Sequence, residues 1–253
     1  MDSRIDNLIA SISATLTGIE HLLPSFRPSS PFYKDPQWWA IAVALLLGIV
    51  GIFQDWIRAI FKKPKLHVDI KLEPPDCHKI ALRNSQTGQF ICDTYYFRFR
   101  VTNAGNYPME DVEVLTAELH NKINGQYKKV NNFLPINLHW AHNHVVTMPK
   151  IQPKLFKHCD FGHIIETNTN FGGKILTYYG FNTKANIIMQ LDTFIEPNTG
   201  SHILFPGEYK IKIIFSANNV SPYEIWFKLT LKDKWDSNET AMLQNNISIK
   251  KIS

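Results

Sequence analysis

Across most of this chain apolar and polar side chains alternate with a period of two. Leu66, Val68 and Ile70 interleave with His67, Asp69 and Lys71; Tyr95, Phe97, Phe99 and Val101 interleave with Tyr96, Arg98 and Arg100; Val112 and Val114 stand beside Asp111 and Glu113. Successive side chains of a strand point to opposite faces, so the pattern predicts strands with one face in a core and one in water. Tyr209, Ile211, Ile213 and Phe215 repeat it with Lys210 and Lys212 on the other face, and Ile225, Phe227, Leu229 and Leu231 return as the next strand. Asn103-Ala-Gly-Asn-Tyr-Pro and Asn218-Asn-Val-Ser-Pro carry turn chemistry between neighbouring strands. No helical period of comparable strength occurs between Leu66 and Lys232. The expected fold class is mainly β, an antiparallel sandwich, with a closed barrel as the nearest alternative.

Two segments ahead of Leu66 break the pattern. Trp38 to Phe53, WWAIAVALLLGIVGIF, holds sixteen uncharged residues, with Phe32, Tyr33 and Trp56 close by. As a helix it covers about 24 Å, and Gln37, Gln54 and Trp56 extend it toward the roughly 30 Å of a hydrocarbon core. Its Leu, Ile, Val and Phe residues favour insertion by roughly 3 to 5 kcal/mol, and the flanking aromatics suit the headgroup level. A transmembrane helix is therefore expected over residues 37–61. Arg27 and Lys34, with Asp35, precede it, whereas Arg58, Lys62, Lys63 and Lys65 follow it. The larger cationic cluster marks the cytoplasmic flank and attracts anionic lipid, so the carboxyl-terminal domain is expected on the cytoplasmic side of the inner membrane.

Nearer the amino terminus, Ile5, Ile9, Ile12, Leu16, Ile19 and Leu23 follow the alternating spacing of a coiled-coil seam, and Pro24 ends it. The same residues, widened by Leu8 and Leu22, also suit an amphipathic helix lying on a membrane. Ala40, Ala44 and Gly48 form a small-residue stripe on the apolar helix, a surface for close helix approach. Together these predict self-association into a homo-oligomer. The expected organisation is an amphipathic helix and linker over 1–36, the transmembrane helix over 37–61 and a cytoplasmic β-sandwich over 62–253.

The net charge of +5 changes this picture little, because the four cations after the apolar run supply most of it. What remains is weakly basic, and nucleic acid is not an expected partner. The three cysteines, Cys77, Cys92 and Cys159, form no CxxC pair and fit thiols kept reduced.

YYFRFRVTNAGNYPMEDVEV resembles the central strands of bacterial immunoglobulin-like, adhesion-related domains, in which an Asn-x-Gly turn joins two valine-alternating strands. PGEYKIKIIF resembles the late strands of the same superfold. The layout of apolar helix and β domain is similar to that of uncharacterised bacterial membrane-anchored proteins. The resemblance implies an immunoglobulin-like sandwich and a binding role; such folds host unrelated functions.

Chemistry-bearing residues cluster in His139, His142 and His144, followed by His158, Cys159, Asp160 and His163. Imidazole, thiolate and carboxylate are donors that zinc accepts, which makes these the candidate metal ligands, although neither HExxH nor a paired CxxC occurs. No GxSxG is present, and Phe171-Gly172-Gly173-Lys174 lacks the spacing of a phosphate loop, so it reads as a flexible turn. In KWDSNETAML, Asp236 or Ser237 is expected to cap a short helix whose Trp235 and Met242 pack on the sandwich. The functional expectation is a non-enzymatic, single-pass membrane protein that presents its sandwich as a binding or scaffolding module, with the lipid bilayer and an unidentified protein or small molecule as partners and no cofactor. The alternatives are an oligomeric membrane effector of a bacterial defence system, gated by ligand binding to the sandwich, and a metal-dependent enzyme built on His139 to His163.

Overall fold

In the computed structural model residues 36–54, 62–84 and 86–252 are described, together with Ala10 and Lys34. The chain divides into two units, residues 1–61 and 62–253. In the first, helix α1 (Pro36–Ile52) runs for 17 residues, with no charge in its first or last turn and no buried residue. Proline suits the first turn, where its missing N–H has no helical partner. Among the described residues no helix is long and apolar enough to cross a membrane. Of the helix expected over 37–61 the described part is α1 with a turn at Phe53, whose N–H still donates to Ile49 O, and Gln54 is again helical. Residues 55–61 and the seam Ile5 to Leu23 lie outside the described residues.

The second unit is built from two antiparallel sheets. The first contains β1 (Leu66–Asp69), β2 (Cys77–Arg83), β3 (Phe90–Asn103), β8 (Phe156–Glu166), β9 (Ile187–Leu191) and β10 (Ile203–Leu204). Its order is β1-β3-β8-β9-β10, with β2 sharing the β1 edge of the long β3. The second contains β4 (Met109–Ile123), β5 (Gln126–Lys129), β6 (Ile136–Asn137), β7 (Met148–Ile151), β11 (Gly207–Ala217), β12 (Val220–Leu231) and β13 (Ile247–Ile252). Its order is β13-β12-β11-β4, and three short strands divide the far edge of β4 between them.

The two inner faces meet in one core. Tyr95, Phe97, Phe99 and Val101 of β3 and Phe161 of β8 face Val112 and Val114 of β4, Ile211, Ile213 and Phe215 of β11 and Phe227 and Leu229 of β12. Phe99 is the junction: its ring lies 4.8 Å from Phe161, 5.6 Å from Phe215 and 5.0 Å from Phe227, so one side chain ties both sheets together. These inward residues are the apolar members of the alternating pattern. Their outward partners on the second sheet form exposed ion pairs, such as Lys122 and Lys228 with Glu208.

Three local expectations are corrected. β3 and β4 flank the 104–108 turn but belong to different sheets, so the turn is an arch over the core and not a hairpin. Phe171 to Lys174 is the start of helix α2 (Asn170–Tyr178), capped by Thr169, whose Oγ1 accepts from Gly172 N. Gly172 cannot carry a Cβ because it would overlap the Glu166 carbonyl, and Phe171 and Ile175 pack with Cys92, Ile165 and Ile188 in a second small core outside the first sheet. Gly172 is a packing requirement whereas Gly173 has room for a side chain, and a single apolar side of a short helix left too weak a period to read. The late helix α3 (Glu239–Ala241) is capped by Asn238, because Asp236 is used to fix the Asn238 N–H and leaves the cap one step later. Trp235 packs 4.9 Å from Tyr95, and Met242 is fully buried, as their positions predicted.

One end of the sandwich is organised by Asn103, which is fully buried. Its Nδ2 donates to the Tyr107 and Ile151 carbonyls at 2.7 and 3.0 Å, and its Oδ1 accepts from Gly105 N and Lys65 N at 3.0 and 3.3 Å. Its backbone N–H donates to Leu155 O, and its carbonyl accepts from Lys154 N. Lys65 O and Lys63 O accept in turn from Ala104 N and Asn106 N. The segment from Lys62 to Lys65 is therefore hydrogen-bonded into the sandwich. Gly105 is required there, since a Cβ would run into the backbone of Lys63 to Lys65. Asn103→Ala should destabilise the fold by about 2 to 4 kcal/mol, because several buried backbone groups lose their partner at once; urea unfolding with an unchanged m-value measures it.

Candidate binding face on the first sheet

The outward side chains of β3 and β8 lie side by side. Register places Arg100 opposite His158, Arg98 opposite Asp160 and Tyr96 opposite His163. Strict alternation would send His163 to the opposite face from His158 and Asp160. A bulge between Asp160 and Gly162 restores it to the outer face, while Cys159, Phe161 and Ile164 all remain in the core. Gly162 permits the bulge, because a Cβ would overlap the Gln190 carbonyl on β9.

The result is a row of carboxylates, each paired with a base. Asp76, in the turn before β2, is fully buried; its Oδ1 accepts from Arg100 Nη2 at 2.7 Å and lies 3.0 Å from His158 Nε2. Asp160 Oδ1 accepts from Arg98 Nε at 2.8 Å, and its Oδ2 is 3.5 Å from His139 Nδ1, an electrostatic contact and not a hydrogen bond. Asp192 Oδ1 lies 2.6 Å from His163 Nδ1, and the His163 ring stacks on Tyr96 at 5.0 Å. Burial raises the Asp160 carboxyl above the ordinary aspartate range and the nearby Asp192 charge adds to this, with Arg98 opposing both. Burial pushes the Tyr96 phenol up as well.

Several polar atoms in and beside this row have no partner among the described residues. They are Asp76 Oδ2, Asp192 Oδ2, His139 Nδ1 and both ring nitrogens of the fully buried His202. Burial lowers the His202 pKa, so the ring is held neutral. Its edge meets Tyr179 at 5.3 Å, and Tyr179 OH in turn donates to Glu196. Along this margin an open concavity of about 850 Å³ is lined by Phe171, Lys174, Tyr178, Gln190 and Glu196. Gln190 is the β9 register partner of His163, so the concavity and the polar row are continuous.

The candidate metal ligands divide. His139, His158, Asp160 and His163 reach this face. His142 and His144 sit exposed in a turn with φ of 74° and 50°. Cys159 points into the core, where burial raises its thiol pKa strongly. Among the described residues no group of three or more His, Cys, Asp or Glu side chains is placed to hold a metal ion. The His163 side chain is hydrogen-bonded to Asp192. Chemically the face offers fixed donors, acceptors and aromatic surface, which is the equipment of recognition. Asp76, Asp192 and His202 were not legible as members, since each comes from a loop or edge distant in sequence; Arg98 and Arg100 were, as the outward half of a strand pattern.

Matched against the profiles of known protein families and against curated protein sequences, the chain finds no counterpart.

The two perturbed groups give stability–pH effects of opposite sign. Asp160, raised in the folded state, contributes stability that is complete below its unfolded pKa of about 3.9 and is lost as pH rises through its folded value. The stability of the wild type relative to Asp160→Asn should therefore fall as pH rises above about 4 and then level off. His202, lowered in the folded state, contributes stability that is complete above about pH 6.5 and is lost as pH falls through its folded value. The same comparison with His202→Gln should show the wild type losing its advantage on acidification. Urea titrations across pH test both.

Proposed function

We propose that the protein is a membrane-anchored binding or scaffolding module, in which the apolar helix holds a β-sandwich at the bilayer and the outer face of the first sheet receives a ligand or partner. The observation that carries this is the state of α1. Leu46, Leu47 and Ile52 are 61%, 63% and 64% exposed, and no residue of the helix is buried. A helix that is apolar all round needs apolar surroundings on every side. At about 25 Å α1 is shorter than the hydrocarbon core of roughly 30 Å, a mismatch met by continuation past Ile52 or by local thinning of the bilayer. The cations from Arg58 to Lys65 favour an inner-membrane protein with the sandwich on the cytoplasmic side.

The finer, immunoglobulin-like reading draws support from the second sheet, where β4, β11 and β12 follow the order of strands C, F and G. The first sheet departs from it. After β4 the chain enters beside β3 as β8 and then moves outward through β9 and β10, whereas in the immunoglobulin arrangement the edge strand is made before the one beside strand B.

Alkaline carbonate washing of membranes tests the anchor: the full chain should stay in the pellet, and Val43→Glu with Leu46→Arg should release it. Wild-type chain in the supernatant would refute the reading. Sidedness needs an introduced thiol, because Cys77, Cys92 and Cys159 are all buried and would resist label on either side. Gln126→Cys, at the exposed start of β5, should stay unlabelled by an impermeant maleimide in intact cells and react after lysis.

A further inference from the structure

At the Lys62 end of the sandwich, residues far apart in sequence form one basic and apolar surface. Asn103 joins three pieces: the Lys62 to Lys65 segment, the 104–108 arch and the loop from Gln152 to Leu155. β1, the end of β3 and the start of β8 lie side by side here, with His67 and Phe156 both registered on Thr102. The 218–219 turn closes the same end, with Asn218 N donating to Glu110 O and Asn219 Nδ2 to Pro108 O.

Lys154, Leu155, Phe156 and Lys157 are all exposed at this end, Leu155 by 55% and Phe156 by 45%. Lys154 takes a left-handed φ of 64° at the tip of its loop, and its Nζ donates to Ala104 O. Lys62, Lys63 and Lys65 are exposed as well, Lys62 lying over the Tyr107 ring at 4.8 Å. Two acids share the region. Asp111 accepts from Asn218, and Glu110 stands opposite Lys150 in the β4–β7 pair. Lys62, Lys63, Lys65 and Lys157 have no acidic partner among the described residues, unlike Lys122, Lys129, Lys212 and Lys228 of the second sheet.

Resting on the anchoring proposed above, we infer that this end is a lipid-docking surface: Leu155 and Phe156 enter the headgroup layer while Lys62, Lys63, Lys65, Lys154 and Lys157 engage anionic headgroups. Charge selects the occupant. Exposed apolar side chains flanked by unpaired lysines suit a negatively charged interface, where a neutral protein partner would leave the cations without compensation. Because Asn103 fixes the loop to the chain segment that follows the apolar run, the surface is presented in one orientation.

The test uses full-length protein carrying Leu155→Cys, labelled with NBD, in vesicles of phosphatidylcholine with or without phosphatidylglycerol. The native thiols are buried, and the Leu155 backbone carbonyl that Asn103 uses survives the substitution. The expected result is a blue shift and rise of NBD emission with phosphatidylglycerol only, reversed by high salt and lost on adding Lys65→Glu and Lys157→Glu. A probe that stays aqueous in both vesicles, shifts equally in both, or ignores the charge reversals would overturn the docking surface, provided the protein floats with the vesicles. Protein that does not float with either vesicle would refute the anchor itself, which separates the two failures.

Discussion

A single buried amide decides how the β unit begins. Asn103 is the last residue of the longest strand in the first sheet, and its side chain satisfies backbone groups from three other segments at once. Buried carbonyls and N–H groups must find partners, and an asparagine offers both donors and acceptors from one site. The consequence reaches the chain ahead of the fold. Lys62 to Lys65 cannot act as a loose tether, because its carbonyls and amides are committed to the 104–108 arch. The segment is tied to the end of β3, a strand that continues inward to Phe99 and the aromatic junction between the sheets.

The outer face of the first sheet obeys a second constraint. A half-covered sheet face carrying arginines, histidines and aspartates must compensate every charge or give it up, and here compensation prevails: Asp76, Asp160 and Asp192 each hold a basic partner. His158 and His163 each have one ring nitrogen beside a carboxylate, and Cys159 lies on the core side of the strand. What stays open are second oxygens and spare nitrogens, groups that can accept or donate one further bond without breaking the row.

The legible part of this structure was whatever repeats locally. Alternation exposed β1, β3, β4, β11 and β12 and sorted their side chains into core and surface, because burial acts on each strand alone. Bulges defeat that logic. At Ala117, skipped in the β4–β11 register, the buried positions change from Val112, Val114 and Thr116 to Leu119, and at Gly162 the same parity change carries His163 to the face of Asp160. No periodicity announces such a shift, no glycine stands at Ala117, and Gly162 is explained by the neighbouring β9 backbone. Helix α2 was hidden for a related reason. Its two glycines lower helix propensity, and Gly172 is demanded by close packing against Glu166 and Thr167, so tertiary contact overrides the local preference. The loops that supply Asp76, Asp192 and His202 carry no pattern, and their meeting is a property of topology.

Net charge was equally legible and equally silent about place. On the second sheet lysines and glutamates neutralise one another across strands, and on the first the charges are locked in buried or half-buried pairs. The second sheet keeps part of the surplus of +5, since Lys210 lies over the Tyr127 ring and Lys250 stands opposite Lys228. Another part gathers around Lys62, Lys63, Lys65 and Lys157, beside the exposed Leu155 and Phe156. A uniformly basic protein would be drawn weakly to any anion from any direction. Grouping lysines that lack acidic partners beside exposed apolar side chains gives this end a character that charge alone does not, because each cation acts only within about 10 Å and its neighbours decide what it can meet there.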